Sequence, residues 1–282
     1  MTFVEARAPV RVCDLGGWTD TWFASSGLVC SVAVQPGVGV RVAAGEPGTD
    51  GQPVTLGMPD LDDRYRFDPR EPPGRHPLLE AAMAAMPLPA GTGLEVEVRS
   101  GMPPGSGVGT SASTVVALLG ALDALTPGRL APAELAQAAH RVETERLGLQ
   151  SGVQDQVAAA HGGINLIEVG PYPEWRVHPV DVPEPVRTEL DERLVHVYLG
   201  RPHASSALHE QVIAAFDEDD DGLRDLEPLR RAARDGAAGL DAGDLTAYGQ
   251  ALVANTRAQA ALRPELVSAD AWRIAAVARA HG

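Results

Sequence analysis

Apolar and charged side chains alternate over Leu94-Glu95-Val96-Glu97-Val98-Arg99, and this period of two predicts a strand with one buried face. A stretch of small residues, Pro103-Pro104-Gly105-Ser106-Gly107-Val108-Gly109-Thr110-Ser111-Ala112-Ser113, comes next. After it, residues 113–122 are apolar on nearly every side, which predicts a buried helix. The same reading gives strands at residues 8–13, 29–34 and 38–43, a hairpin with a long loop within residues 44–75, and a short helix over residues 77–86. Pro132 opens a helix predicted to run to about Leu147, and residues 152–160 form another. Strands are predicted at 163–169, 175–180 and 193–199, then helices at about 204–216, 223–240, 245–262 and 269–280. The Pro-Glu-Pro cluster within 183–192 predicts a boundary between two domains, 1–185 and 186–282.

The order strand, glycine-rich loop, helix suits an anion. Glycine permits the positive φ angles that bring backbone close to a ligand, and the first helical turn directs unpaired N–H groups and a positive dipole end at the loop. A phosphate is the natural guest. Thr110, Ser111 and Ser113 are placed to cap the helix, and a hydroxyl there also suits a phosphate oxygen or its magnesium. Two familiar phosphate loops do not fit. The P-loop needs a lysine, and all 23 basic Lys/Arg residues here are arginine; the dinucleotide fingerprint needs a third glycine where Thr110 stands.

Composition narrows the field. The chain's 282 residues suffice for one large or two ordinary domains, and 44% hydrophobic with 22% charged residues is a globular balance. A net charge of −15 argues against nucleic-acid and anionic-membrane surfaces. No apolar run reaches the length of a bilayer span and the N-terminus has no signal-peptide pattern, so a cytoplasmic protein is expected. Cys13 and Cys30 lie in strand-like runs and read as reduced core residues. Oligomeric state leaves no trace in the pattern.

The glycine-rich loop resembles the second motif of the GHMP small-molecule kinases, the family of galactokinase, homoserine kinase, mevalonate kinase and phosphomevalonate kinase. Two further segments occur in the family's order. Arg7-Ala8-Pro9-Val10-Arg11-Val12-Cys13-Asp14-Leu15-Gly16-Gly17-Trp18-Thr19-Asp20 is similar to the N-terminal signature of the sugar 1-kinase branch, especially its L-fucokinase-like and heptose-phosphate-kinase-like members. Gly152-Val153-Gln154-Asp155-Gln156 resembles the segment with the family's catalytic aspartate. The resemblance covers about the first 165 residues and implies an α+β, two-domain GHMP kinase-like fold. In that fold the N-terminal, ATP-binding domain is ribosomal protein S5 domain 2-like and the C-terminal domain ferredoxin-like. One family feature, a third glycine-rich motif near the C-terminus, is not found in residues 186–282, so the chain is expected to be naturally short or truncated before it.

The resemblance also implies roles. ATP phosphates would lie on Pro104, Gly105, Ser106, Gly107, Val108, Gly109, Thr110 and Ser111, with Mg2+ held by Ser111 and Glu143. Glu145 is the nearby alternative, and residues two apart on a helix cannot share one site. Asp155 would receive the acceptor hydroxyl, with Arg11 beside it to offset phosphoryl charge. Taken alone, Asp155 also fits a first-turn acidic residue that steadies its helix. Asp20, with Gly17 and Thr19, would meet the sugar, although Asp20 also fits an Asx-turn. The family's Gly-x-x-Arg pattern is altered to Gly200-Arg201-Pro202-His203, leaving Arg201 and His203 without an assigned role. The acidic run 217–221 lacks EF-hand spacing and reads as a solvated loop. The function implied is ATP-dependent phosphorylation of a hydroxyl, the anomeric one, on a fucose-like sugar or heptose phosphate. The alternatives are a non-catalytic sugar- and nucleotide-binding protein and a kinase for a non-sugar alcohol. The partner is in each case a small molecule.

Overall fold

The structure, a computed structural model, describes residues 3–45, 53–87, 93–126, 129–200 and 226–281. These fall into two compact units: residues 1–11 with 33–163, and residues 12–32 with 164–282. The units cut the chain elsewhere than the boundary predicted near residue 185. Strands β1 (Phe3–Leu15) and β2 (Gly27–Gly45) are long enough that each contributes one end to either unit. The two runs predicted at 29–34 and 38–43 are thus one strand, and Pro36-Gly37 does not interrupt it.

In the first unit β3 (Val54–Met58) and β4 (Asp63–Phe67) form the predicted hairpin. β5 (Gly93–Ser100) pairs parallel to β3 and antiparallel to β2. Register follows the alternation read from the sequence. Val42 lies opposite Val96, Val96 opposite Leu56 and Leu56 opposite Tyr65, so one row of apolar side chains crosses four strands. Two helices cover that face. α1 (Pro77–Ala85) supplies Leu79 and Met83, and α2 (Thr110–Asp123) supplies Val115, Leu118, Leu119 and Leu122, all in one buried core. Each fully buried side chain of this kind is worth about 1.5–3 kcal/mol.

α3 (Pro132–Arg141) ends six residues before the predicted Leu147, because its last turn, Val142–Arg146, is wound as a π-helix. α4 (Gln154–His161) then completes the unit.

In the second unit the start of β2 pairs with β6 (Ile164–Val169), and β6 with β7 (Trp175–Pro179), all antiparallel. α5 (Glu184–Arg193) occupies the segment read as a domain boundary; its prolines stand before and within the first turn, where a helix tolerates them. The strand predicted at 193–199 is absent. Val195, Val197 and Leu199 are exposed there, and among the described residues no strand pairs with them. α6 (Glu227–Asp241), α7 (Leu245–Leu262) and α8 (Ala269–His281) follow. α6 buries a stripe containing Leu229, Ala233, Gly236, Ala237 and Leu240, and at Gly236 a Cβ would come within 2.1 Å of Leu15 Cδ1. The helix predicted at 204–216, the acidic run 217–221, Arg201, His203 and the side chain of Cys13 lie outside the described residues. Cys30 is buried in the core.

Candidate active site

β5 delivers the chain into the glycine-rich loop and α2 carries it away. Gly105, Gly107 and Gly109 take φ values of 73°, 74° and 70°, left-handed backbone that side chains resist. At Gly109, the residue before α2, there is a second demand: a Cβ would sit 3.3 Å from Arg11 Nε and 3.4 Å from Asp155 Cγ. The loop therefore closes directly on an arginine and an aspartate that are far apart in sequence.

The predicted capping does not occur: the N-cap position is Gly109, and no side chain caps the N–H groups of the first turn of α2. Ser113 Oγ instead donates to Pro9 O at 2.6 Å, tying the helix to β1. Ser111 is exposed, and the hydroxyls of Ser106 and Thr110 are buried without a hydrogen-bond partner. An uncapped helix start beside two buried, unused hydroxyls is an arrangement that an anion would complete.

Arg11 fastens the loop from the other side. Its main-chain N–H donates to Val108 O at 3.0 Å and its Nη1 to Gly107 O at 2.6 Å. Nε donates to Asp155 Oδ1 at 2.8 Å. Asp155 stands in the first turn of α4, and the paired side chains are only 13% and 28% exposed, which lifts this charge-assisted bond above ordinary surface ion pairs.

Glu143 and Glu145 share the π-wound turn, yet Glu143 is buried while Glu145 is exposed. Burial pushes the Glu143 carboxyl above the usual carboxylate range; the negative charge of Asp155 adds to the shift, and hydrogen bonds from Ser151 and Gln156 oppose it. Ser151 Oγ donates to Glu143 Oε2 at 2.7 Å, whereas Oε1 is buried with no partner. A magnesium ion fits this donor set: one uncommitted carboxylate oxygen, with the Ser111 hydroxyl on the same unit, leaves the remaining positions to nucleotide phosphate and water. No group of three or more carboxylate, His or Cys ligands that could hold a metal ion occurs among the described residues.

The turn Gly16–Asp20 belongs to the second unit. Gly16 has φ 91°, and a Cβ there would lie 2.0 Å from Leu28 O; its N–H donates to Asn255 Oδ1 of α7 at 2.9 Å. Trp18 takes φ 77°, a rare value for a bulky residue and a cost that a fold keeps only where the surroundings enforce it. Thr19 is fully buried, with its hydroxyl donating to Gly16 O at 2.7 Å and accepting from Leu28 N–H at 3.0 Å. That hydroxyl, expected to meet the sugar, is committed inside the turn and shapes it. Gly17 is buried as well, and Asp20 is only 1% exposed.

Of the residues read from the sequence, Arg11, Asp155, Gly109 and Glu143 gather in the first unit. His140, Ser151 and Gln156 join them without having been singled out. His140 and Glu143 are three apart on consecutive helical turns, a spacing that marks one face. Nothing in the sequence marks Ser151, since loop closure brings it to Glu143.

Comparisons with known proteins bear on the family and the fold. The family model for the GHMP kinases N terminal domain matches residues 77–163. The bifunctional fucokinase/GDP-fucose pyrophosphorylase of Arabidopsis thaliana is 24% identical over 259 residues, 84% of this chain and 24% of that protein. The D-glycero-alpha-D-manno-heptose 7-phosphate kinase of Campylobacter jejuni is 35% identical over 96 residues, 34% of this chain and 28% of that protein. The chain thus spans about a quarter of the length of each of these relatives. A solved D-glycero-D-manno-heptose 1-phosphate kinase from Bacteroides thetaiotaomicron superposes with a TM-score of 0.67 at 21% identity, covering 88% of this chain and 76% of that one, which speaks for the fold. Residues 77–163 thus match the GHMP kinases N terminal domain, and the chain is similar in sequence to sugar kinases of that kind and in fold to a solved one.

Proposed function

We propose that the protein is an ATP-dependent kinase that phosphorylates a sugar hydroxyl, the anomeric one, on a fucose-like sugar or a heptose phosphate. The observation that carries the reading is the Arg11–Asp155 pair, 2.8 Å between Nε and Oδ1, lying against Gly109 of the anion-ready loop. Phosphoryl transfer asks a protein mainly to position the reactants and neutralise charge, and these residues are suited to both. The names of the two relatives and the Gly-Gly-Trp-Thr-Asp turn support the sugar.

In this reading residues 104–111 hold the donor phosphates through main-chain N–H groups and the hydroxyls of Ser106 and Thr110. Ser111 and Glu143 would hold Mg2+, which when bound supplies neutralisation of the phosphate charge. Asp155 accepts a hydrogen bond from the acceptor hydroxyl, orients its oxygen along the line of transfer and takes its proton late. Phosphoryl transfer depends mainly on positioning, so orientation carries most of its effect. Arg11 keeps Asp155 in place and offsets negative charge on the transferring group. Asp20, on the strained turn, accepts hydrogen bonds from sugar hydroxyls, and an ionised carboxylate that accepts two such bonds penalises an analogue lacking either donor. ATP supply gives such an enzyme a cytoplasmic setting.

The test is ATP consumption by the 282-residue chain with magnesium against L-fucose, D-galactose, D-arabinose, D-mannose and heptose phosphates. Turnover with one of them is expected. No turnover with any, accompanied by a nucleotide-induced rise in melting temperature, would replace the enzyme with a binding protein.

A further inference from the structure

Three elements converge on Ser151, in the loop before α4. From α3, the buried His140 ring bonds the Ser151 main chain. From the π-wound turn, Glu143 receives the Ser151 hydroxyl through Oε2 at 2.7 Å. From α4, Gln156 Nε2 donates to Ser151 Oγ at 3.2 Å, and the Gln156 amide also bonds the Glu143 carboxylate. The turn itself is pinned by Leu149 N–H donating to Glu143 O at 2.9 Å.

Hydrogen-bond capacity gives the arrangement a direction. A serine hydroxyl has one hydrogen and two lone pairs. With Gln156 filling a lone pair, the hydrogen of Ser151 turns to Glu143 Oε2, ahead of its longer contact of 3.1 Å to Gly152 O. One carboxylate oxygen is thereby anchored. The other, Oε1, is buried and uncommitted, and so is Gln156 Oε1 on the neighbouring amide. A buried carboxylate with one oxygen held and one bare costs the free protein stability, and it is ready to bind a cation.

We propose that Ser151 is the positioning residue of Glu143: it fixes the carboxylate through Oε2 and leaves Oε1 for the cation, and Gln156 orients the serine hydroxyl. The proposal rests on the kinase reading, in which Glu143 holds the nucleotide's magnesium.

Manganese binding to the full chain with ADP, followed by the electron paramagnetic resonance of free Mn2+, tests it without turnover. Ser151→Ala should weaken Mn2+ binding in the ADP complex about 10-fold or more. The melting temperature should fall modestly, because Gln156 Nε2 and Glu143 Oε2 each lose a partner, whereas metal-free ADP affinity should stay close to that of the unaltered protein, which a general loss of structure would not allow. Ser151→Thr, which retains the hydroxyl, should recover binding to within a few-fold. Should Ser151→Ala fold poorly, Gln156→Leu carries the test, removing the orienting amide with Ser151 in place; weakened Mn2+ binding is again expected. Unchanged Mn2+ binding in the folded variant, or no recovery with threonine, overturns the proposal alone. An unaltered protein that binds ADP but no Mn2+ overturns the metal role of Glu143, and the proposal with it.

Discussion

At Gly109 a methyl group would meet Arg11 and Asp155 at 3.3–3.4 Å, on backbone at φ 70°. Gly109→Ala therefore combines a left-handed penalty of about 1–2 kcal/mol with pressure on the pair that carries the proposed chemistry. The expected outcome is a lower melting temperature together with weakened nucleotide binding, read by thermal denaturation with and without ADP. Glu143 works in the opposite sense. Its carboxyl is raised by burial, so the folded protein holds that proton more tightly than the unfolded chain does. Stability is then lost as pH rises from the ordinary carboxylate value through the raised one. Glu143→Gln should raise the melting temperature of the ligand-free protein near neutral pH by a few degrees, on the order of 1 kcal/mol, while abolishing stabilisation by Mg2+ with ADP. A ligand-free variant less stable than the original would contradict this account of Glu143.

The elements show what the sequence could and could not tell. Period-two alternation located β5, and the apolar run after the glycines located α2, because each pattern is local and is enforced by a single buried face. The strand predicted at 193–199 failed because alternation states only that a strand could form; a ladder also needs a partner, and among the described residues none is present. The π-wound end of α3 was also illegible, since it depends on loop contacts such as that of Leu149 with Glu143. Residues 44–75 carried no motif, yet their end is locked by Glu80 of α1. This buried carboxylate accepts the N–H groups of Gly74, Arg75 and His76 and the hydroxyl of Tyr65. Burial alone would raise its pKa, but these four donors outweigh burial and lower it. Its contribution is therefore present above the unfolded carboxylate value of about 4.3 and lost as pH falls through the lower folded value. Glu80→Gln should cost about 1–3 kcal/mol at pH 7 in chemical denaturation, and the difference from the unaltered protein should shrink under acid.

Over the whole molecule, the ordered motifs pointed to the resemblance that the family model repeats over residues 77–163, whereas the partition of the chain into units was not legible. Residues 12–32 belong with the C-terminal helices, through contacts such as Gly16 N–H to Asn255 Oδ1 across 239 positions of sequence. No local periodicity encodes such a bond. Asn255→Ala would orphan a buried N–H beneath the strained turn; a loss of about 1–3 kcal/mol in denaturant unfolding is expected. The central claim is that Asp155, held by Arg11 against the phosphate loop, directs transfer of a phosphoryl group to a sugar. Its most direct measurement is mass-spectrometric detection of the phosphorylated sugar formed from ATP by the unaltered chain and by Asp155→Asn. The account predicts product from the unaltered chain and a rate lower by about 10²–10⁴-fold or more from the variant, with nucleotide binding retained. Phosphorylated sugar formed at an undiminished rate by Asp155→Asn would contradict it.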